Sequence, residues 1–286
     1  MAYPIVSAPY GLKPVNLLGG RVYSGSTRMF PIVNGYSTSL FNGDVVQIGT
    51  GGNIGNLVAS GFSYNDSSAI AGTIGIFVGC EYSTTGGPIY GKNRYQFWQA
   101  STTAPDAQGY VVDDPQALFR CVVLSGGATQ GTTIQYVNNA YIGSNAYYIP
   151  GAGSTSTGDS TAGVAISASA TSTSSITPLT TSAPFRIVQV VPDTAVTVAQ
   201  SATSSSTTIT LSAANSAILP GMAVNGPGIT VGSNTYVTTV NGTTVTINKA
   251  VSTAQGSAVN FSFTGYPEVI VGWNAGYHSY QNANGV

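Results

Sequence analysis

Short runs of β-branched and aromatic residues, each soon cut off by glycine, proline, asparagine or aspartate, recur along this chain: DVVQIG, TIGIFVGCEY, RYQFWQA, GYVVDD, ALFRCVVL, FRIVQVVP and PEVIVGWN. Runs of this length and composition suit strands, because branched side chains pack well on a pleated surface and turn residues close each run. Thirty-six glycines and 14 prolines interrupt any longer helical pattern. The expected fold is therefore all-β. With 286 residues, the chain is long enough for one large β domain or two smaller ones, and two is the expectation.

The punctuation divides the chain. Residues 1–30 carry prolines at 4, 9 and 14 and then LLGGRVYSGSTRMF, which predicts an extended N-terminal arm. Lys13, Arg21 and Arg28 are three of the eight bases in the chain. Two readings of the arm stand side by side: it lies across a neighbouring subunit, or it caps its own sheet. A core β domain, barrel or sandwich, is expected over residues 31–193 plus 264–286. FRIVQVV and EVIVGWN are then neighbours in one sheet, although about 75 residues separate them. Between them, residues 194–263 predict an inserted small sandwich or barrel, with strands in AVTVAQ, TTITLS, PGMAV, NTYVTTV, TTVTINKA and AVNFSF. Its best hairpin signal is Asn241-Gly242, which suits a type I′ turn. The poorly charged stretch 125–183, rich in Ser, Thr, Ala and Gly, predicts short strands and loops, with AGVAISASA the clearest strand.

Chemistry is sparse in this sequence. Charged residues make up 6% of the chain and the net charge is −1, which leaves no basic cluster to meet a phosphate backbone or an anionic membrane. Neither nucleic acid nor membrane is an expected partner, and Met1-Ala2-Tyr3-Pro4 does not open a secretory signal. Cys80 and Cys121 sit in apolar runs and read as buried thiols rather than a disulfide. His278, the one histidine, excludes a multi-histidine metal site, and between two tyrosines it reads as a surface or interface residue. The glycine-rich pieces GTGGNIG and NGPGITVG fit no phosphate-binding pattern. No cofactor, metal site or catalytic residue is expected.

Asp113 and Asp114, in YVVDDPQALFR, are the remaining acid pair. Sequence neighbours on a strand point to opposite faces, so they make a poor catalytic dyad, and the spacing is not that of a calcium loop. Asp114-Pro115 instead has the form of a cap followed by a first helical position, predicting one short turn between two strands.

Several segments together carry a resemblance. The opening AYPIVSAPYGLKPVNLLGGRVYSGSTRMFPI, LFNGDVVQI, GIFVGCEY, GYVVDDPQALFR, APFRIVQVV and PEVIVGWNAGYHSY resemble the capsid decoration, or cement, proteins of tailed bacteriophages of marine and cyanophage type. The similarity spans residues 1–192 and 265–286, with YGLKPVNLLGG and VVDDPQALF its most characteristic pieces. The segment 194–263 resembles the small Ig-like or adhesin-like modules of phage structural proteins. What the resemblance implies is a non-enzymatic virion protein, a homotrimer bound to the major capsid protein on the outer capsid surface. Lys13, Arg21 and Arg28 are its candidate capsid contacts, and the insert projects outward. The competing expectation is a head-fibre or host-surface protein whose insert binds glycans. A polysaccharide depolymerase is the weakest reading, because the acid inventory supports it least.

Overall fold

The computed structural model describes residues 6, 8–57, 73–83, 92–124, 137, 139–166, 183–191, 197–218, 222–230 and 235–281. The protein is all-β, and no α-helix occurs among the described residues. In chain order the strands are β1 (Lys13–Leu17), β2 (Arg28–Pro31), β3 (Val45–Ile48), β4 (Ile54–Asn56), β5 (Thr73–Tyr82), β6 (Asn93–Tyr95), β7 (Gln108–Val112), β8 (Ala117–Val122), β9 (Asn145–Ile149), β10 (Gly163–Ala165), β11 (Phe185–Val190), β12 (Thr197–Ser205), β13 (Thr208–Leu211), β14 (Ala223–Asn225), β15 (Val237–Asn241), β16 (Thr244–Ile247), β17 (Gln255–Thr264) and β18 (Glu268–Trp273).

They form three sheets. The first runs β1-β8-β18-β11-β9-β10, the second β2-β7-β5-β3-β4 with β6 added to β5, and the third β14-β17-β12-β13-β16-β15. Each sheet curls until strands distant in its order touch. A parallel bridge Val123↔Val164 brings β10 to the end of β8, Ile32↔Ile54 joins the β2 and β4 sides, and Ala223↔Tyr236 joins β14 to the start of β15. Rolling turns period-two alternation into an inside and an outside. Along β8, Ala117, Phe119 and Cys121 enter one core, which they share with Phe185 and Ile187 of β11 and with Val269 and Val271 of β18. The second sheet works both ways: Val46, Phe77 and Val111 fill its own core, whereas Val45, Ile76 and Val112 face the core of the first. The two rolled sheets therefore share a wall.

FRIVQVV and EVIVGWN are paired as expected, from Phe185↔Trp273 to Val190↔Val269. Some other expectations need correction, but the 1–30 arm follows one of its two readings: β1 pairs with β8 and β2 with β7, so these stretches join the chain's own two sheets. Their alternation is hidden by glycines and prolines, but the edges of β8 and β7 leave backbone groups that need partners. In the 194–263 segment the strands form one rolled sheet around Ile209, Val224, Val245, Phe261 and Phe263, which follows the barrel alternative of the sandwich or barrel expected rather than an Ig-like sandwich. The Asn-Gly hairpin forms one residue later than expected. Asn241 pairs with Thr244, leaving Gly242 and Thr243 as the two central residues. Gly242 has φ +60, while positive φ among described non-glycine residues is confined to Ser101 and Ser206. That is a turn with glycine at its first central position, as in type II′. Of AGVAISASA, only β10 is a strand among the described residues; residues 125–136 and 167–182 of the poorly charged stretch lie outside them.

Among the described residues, Ala223 of the inserted sheet and Tyr266 beside it pack with Val122, Leu124, Ile149 and Ala165 of the core and against Val6 and Tyr10. Beside this joint the Glu268 carboxylate, 2% exposed, accepts from the Arg120 guanidinium and the Tyr10 hydroxyl. A buried carboxylate requires such partners. Burial, followed by that hydrogen bond, raises the Tyr10 phenol above its ordinary range.

Candidate docking surface

The acid pair stands where the chain leaves one sheet for the other, since β7 belongs to the second sheet and β8 to the first. The Gln116 amide donates to Asp114 Oδ1 at 2.8 Å and the Ala117 amide to the Asp114 carbonyl at 3.0 Å. Pro115 follows Asp114 in that turn. This is an Asx turn inside a β-turn, with proline at the position that suits its fixed φ. The one short turn expected after Asp114 is in place, and it passes directly into β8, which begins at Ala117.

Asp113 points elsewhere. Its Oδ2 lies 3.1 Å from Arg28 Nε and accepts from the Tyr280 hydroxyl at 2.7 Å. Arg28 also donates to the Tyr280 hydroxyl at 2.8 Å and sits 5.5 Å from the centre of its ring. Burial, and then the hydrogen bond to Asp113, pushes the Tyr280 phenol up to about 12. The C-terminal turn is thus clamped onto the corner. Within it His278 is fully buried, which corrects the surface expectation. Its ring meets Trp273 edge-on at 5.4 Å and its Nδ1 accepts from the Tyr280 amide at 3.2 Å. Burial lowers its pKa, against the opposing pull of the Ile74 carbonyl. Buried among rings, the imidazole packs the C-terminal turn against Trp273 and Tyr280.

On the other flank of the corner, the tip after β1 folds back. The Leu18 amide donates to the Gln116 carbonyl, the Leu17 amide to the Arg21 carbonyl, and Arg21 reaches the Gln116 side chain. Leu17 packs against the core, while Leu18 is 55% and Val22 78% exposed. Tyr280 is 49% exposed on the opposite flank. The most exposed large hydrophobic side chains of the described protein therefore flank one hydrogen-bonded corner, together with two arginines.

Of the sequence-predicted residues, Arg21, Arg28, Asp114 and Pro115 come together here. Lys13 does not. Its Nζ is 2.6 Å from Asp159 Oδ1 and 2.7 Å from Asn42 Oδ1, an internal commitment on another part of the fold. Sequence reasoning missed Leu18, Val22, Asp113 as a clamp, and Tyr280. The LLGG tip was legible only as a turn, and nothing local links residues 28, 113 and 280. Cys80 and Cys121 are both free and buried, and burial pushes the Cys80 thiol up to about 12, so neither is a ready nucleophile. Among the described residues no group of three or more His, Cys, Asp or Glu is placed to hold a metal ion.

Fold and site together define an all-β protein with a rigid, partly apolar corner and an inserted β module. Comparison with protein-family models finds no match, and none is found among the curated proteins or the solved structures.

Proposed function

We propose that this is a structural virion protein that binds the outer surface of a bacteriophage capsid and strengthens the shell. The observation that carries the proposal is the corner: Leu18, Val22 and Tyr280 exposed on backbone that is held from both sides by Gln116 and Asp113. Exposed apolar side chains on a fixed frame, rimmed by arginines, are what a protein interface requires. Docking there onto the major capsid protein leaves the 194–263 module free to extend from the shell. A trimeric assembly fits the same reading, because many weak contacts on a lattice become durable when copies are linked.

The glycan reading has less support. Trp98 is fully buried and Trp273 is partly buried against Phe185 at 4.6 Å and His278 at 5.4 Å, and neither lies in the insert to which that reading assigns the sugar. The proposal is tested by adding purified protein to shells of the cognate major capsid protein and measuring co-sedimentation. Leu18→Asp with Val22→Asp is expected to weaken binding at least about tenfold, while circular dichroism and melting temperature stay unchanged, since both residues are exposed. Equal binding by this variant would sink the reading.

A further inference from the structure

The seam between the two rolled sheets brings an amine, a side-chain amide and a carboxylate together from three separate segments. Lys13 opens β1 of the first sheet, Asn42 lies in the chain that enters β3 of the second, and Asp159 precedes β10. The Lys13 amine donates to Asn42 Oδ1 at 2.7 Å, to the Asn42 carbonyl at 3.2 Å and to Asp159 Oδ1 at 2.6 Å. Backbone bonds hold the three segments in place. Asn42 and Asp159 share a parallel bridge, with the Asn42 amide donating to the Gly158 carbonyl and the Ser160 amide to the Asn42 carbonyl, both at 3.0 Å. The Leu12 amide donates to the Gly43 carbonyl at 3.0 Å, and a Cβ on Gly11, which has φ +79, would lie 2.9 Å from Gly43 Cα. That close approach is what carries Lys13 to Asn42. The side chains are aimed as well. Asn42 Nδ2 donates to the Val78 carbonyl at 3.1 Å, which leaves Oδ1 turned to the amine, and Gln96 Nε2 holds Asp159 Oδ1 at 3.2 Å.

We propose that Lys13 and Asn42 join autocatalytically in an intramolecular isopeptide bond, with Asp159 as the acid and base. An amine is nucleophilic only when neutral, and a carboxylate in contact with it is the base that makes it so. Asp159 takes a proton from the Lys13 ammonium. The amine then attacks Asn42 Cγ, which is bonded to the oxygen the amine already touches and so lies within about 4 Å of it. Asp159 passes its proton to Asn42 Nδ2, the Cγ–Nδ2 bond breaks, and ammonia leaves with the second proton shed by the Lys13 nitrogen. One ammonium and one primary amide become one secondary amide and one ammonium ion, with no change of oxidation state. The Lys13 and Asp159 side chains, 30% and 35% exposed, are withdrawn enough to keep one geometry and open enough for ammonia to escape. The rival nucleophile at Asn42, the following Gly43 amide, is tied to the Phe77 carbonyl at 2.8 Å.

The bond ties β1 of the first sheet to the entry of β3 in the second and closes residues 13–42 into a covalent loop. Such a loop restricts the unfolded chain as a disulfide does. It needs neither an oxidising compartment nor cysteine, and Cys80 and Cys121 are free. The link stands apart from the docking reading, since neither Asn42 nor Asp159 belongs to the Leu18 corner.

The test is mass spectrometry of the purified full chain. Its mass is expected to fall short of the sequence mass by one molecule of ammonia, and a proteolytic digest to contain a branched peptide carrying both Lys13 and Asn42. Lys13→Arg and Asp159→Asn are each expected to restore the full mass and to melt at a lower temperature than the wild type. A wild type of full sequence mass, with no branched peptide, overturns the proposal and leaves Lys13 and Asp159 as an ion pair. Ammonia lost equally from Lys13→Arg, again with no branched peptide, overturns it too, because that is cyclisation of Asn42 onto Gly43. Should the variants not fold, the wild-type peptide map decides alone: the branched peptide supports the bond and its absence ends it.

Discussion

Asp113 and Asp114 show how two identical neighbours acquire different roles from direction alone. Leaving β7, successive side chains point to opposite sides, so Asp113 meets Arg28 and Tyr280 while Asp114 turns back on its own backbone. The turn was legible because aspartate before proline has a local reason to bend the chain. The clamp was not, because it joins residues 28, 113 and 280, which no local pattern relates. Asp114→Ala removes one side-chain acceptor from a partly exposed amide and is expected to cost about 1 kcal/mol. Urea denaturation reads it directly. A loss above about 3 kcal/mol would mean that the carboxylate supports more than its turn.

At the scale of elements, strands with clean alternation were legible and those without it were not. β11 and β18 could be paired from sequence because each carries apolar residues that need a common core. β1 and β2 escaped recognition because KPVNL and RMFP are short, carry proline, and become strands only through the edges they join. Rolling was also hidden, since single bridges such as Ile32↔Ile54 leave no periodic trace. In the insert, alternation sorts side chains so that Ile209, Leu211, Val245 and Ile247 face inward. Between them Thr203, Thr210 and Thr244 stand in register across β12, β13 and β16. That explains how a module can be nearly uncharged and still present a polar surface. Its hairpin depends on Gly242, where an added Cβ would meet nothing within 4 Å but φ is +60. Gly242→Ala therefore isolates backbone strain from crowding, and its expected cost is about 1 kcal/mol. Thermal unfolding followed by amide signals of β15 and β16 would show it, and an unchanged or higher stability of that hairpin would refute the turn assignment.

Among the described residues, two rolled sheets share a wall and a third sheet enters through one doorway. The doorway is narrow because the chain leaves and returns on paired strands. Thr197 of β12 lies opposite Thr264 of β17, and the Val191 amide donates to the Glu268 carbonyl at 3.0 Å. Cutting out residues 194–263 and joining the ends with a few glycines therefore closes a gap already bridged, and the loop entropy of so short a linker is small. Little apolar surface is lost with the insert, since Ala223 is its buried contribution to the joint among the described residues, beside Tyr266 of the connecting segment. Two consequences follow from weak coupling between units that each own a core. The shortened chain is expected to fold and to bind capsid shells like the intact protein, because Leu18, Val22, Arg28, Asp113 and Tyr280 all lie outside the deletion. The intact chain is expected to unfold in two calorimetric transitions, of which the shortened chain keeps one. A single transition in the intact protein, at a temperature well above that of the shortened one, would show instead that the joint around Tyr266 welds the insert to the core. Loss of shell binding on deletion would move the docking surface from the corner to the insert.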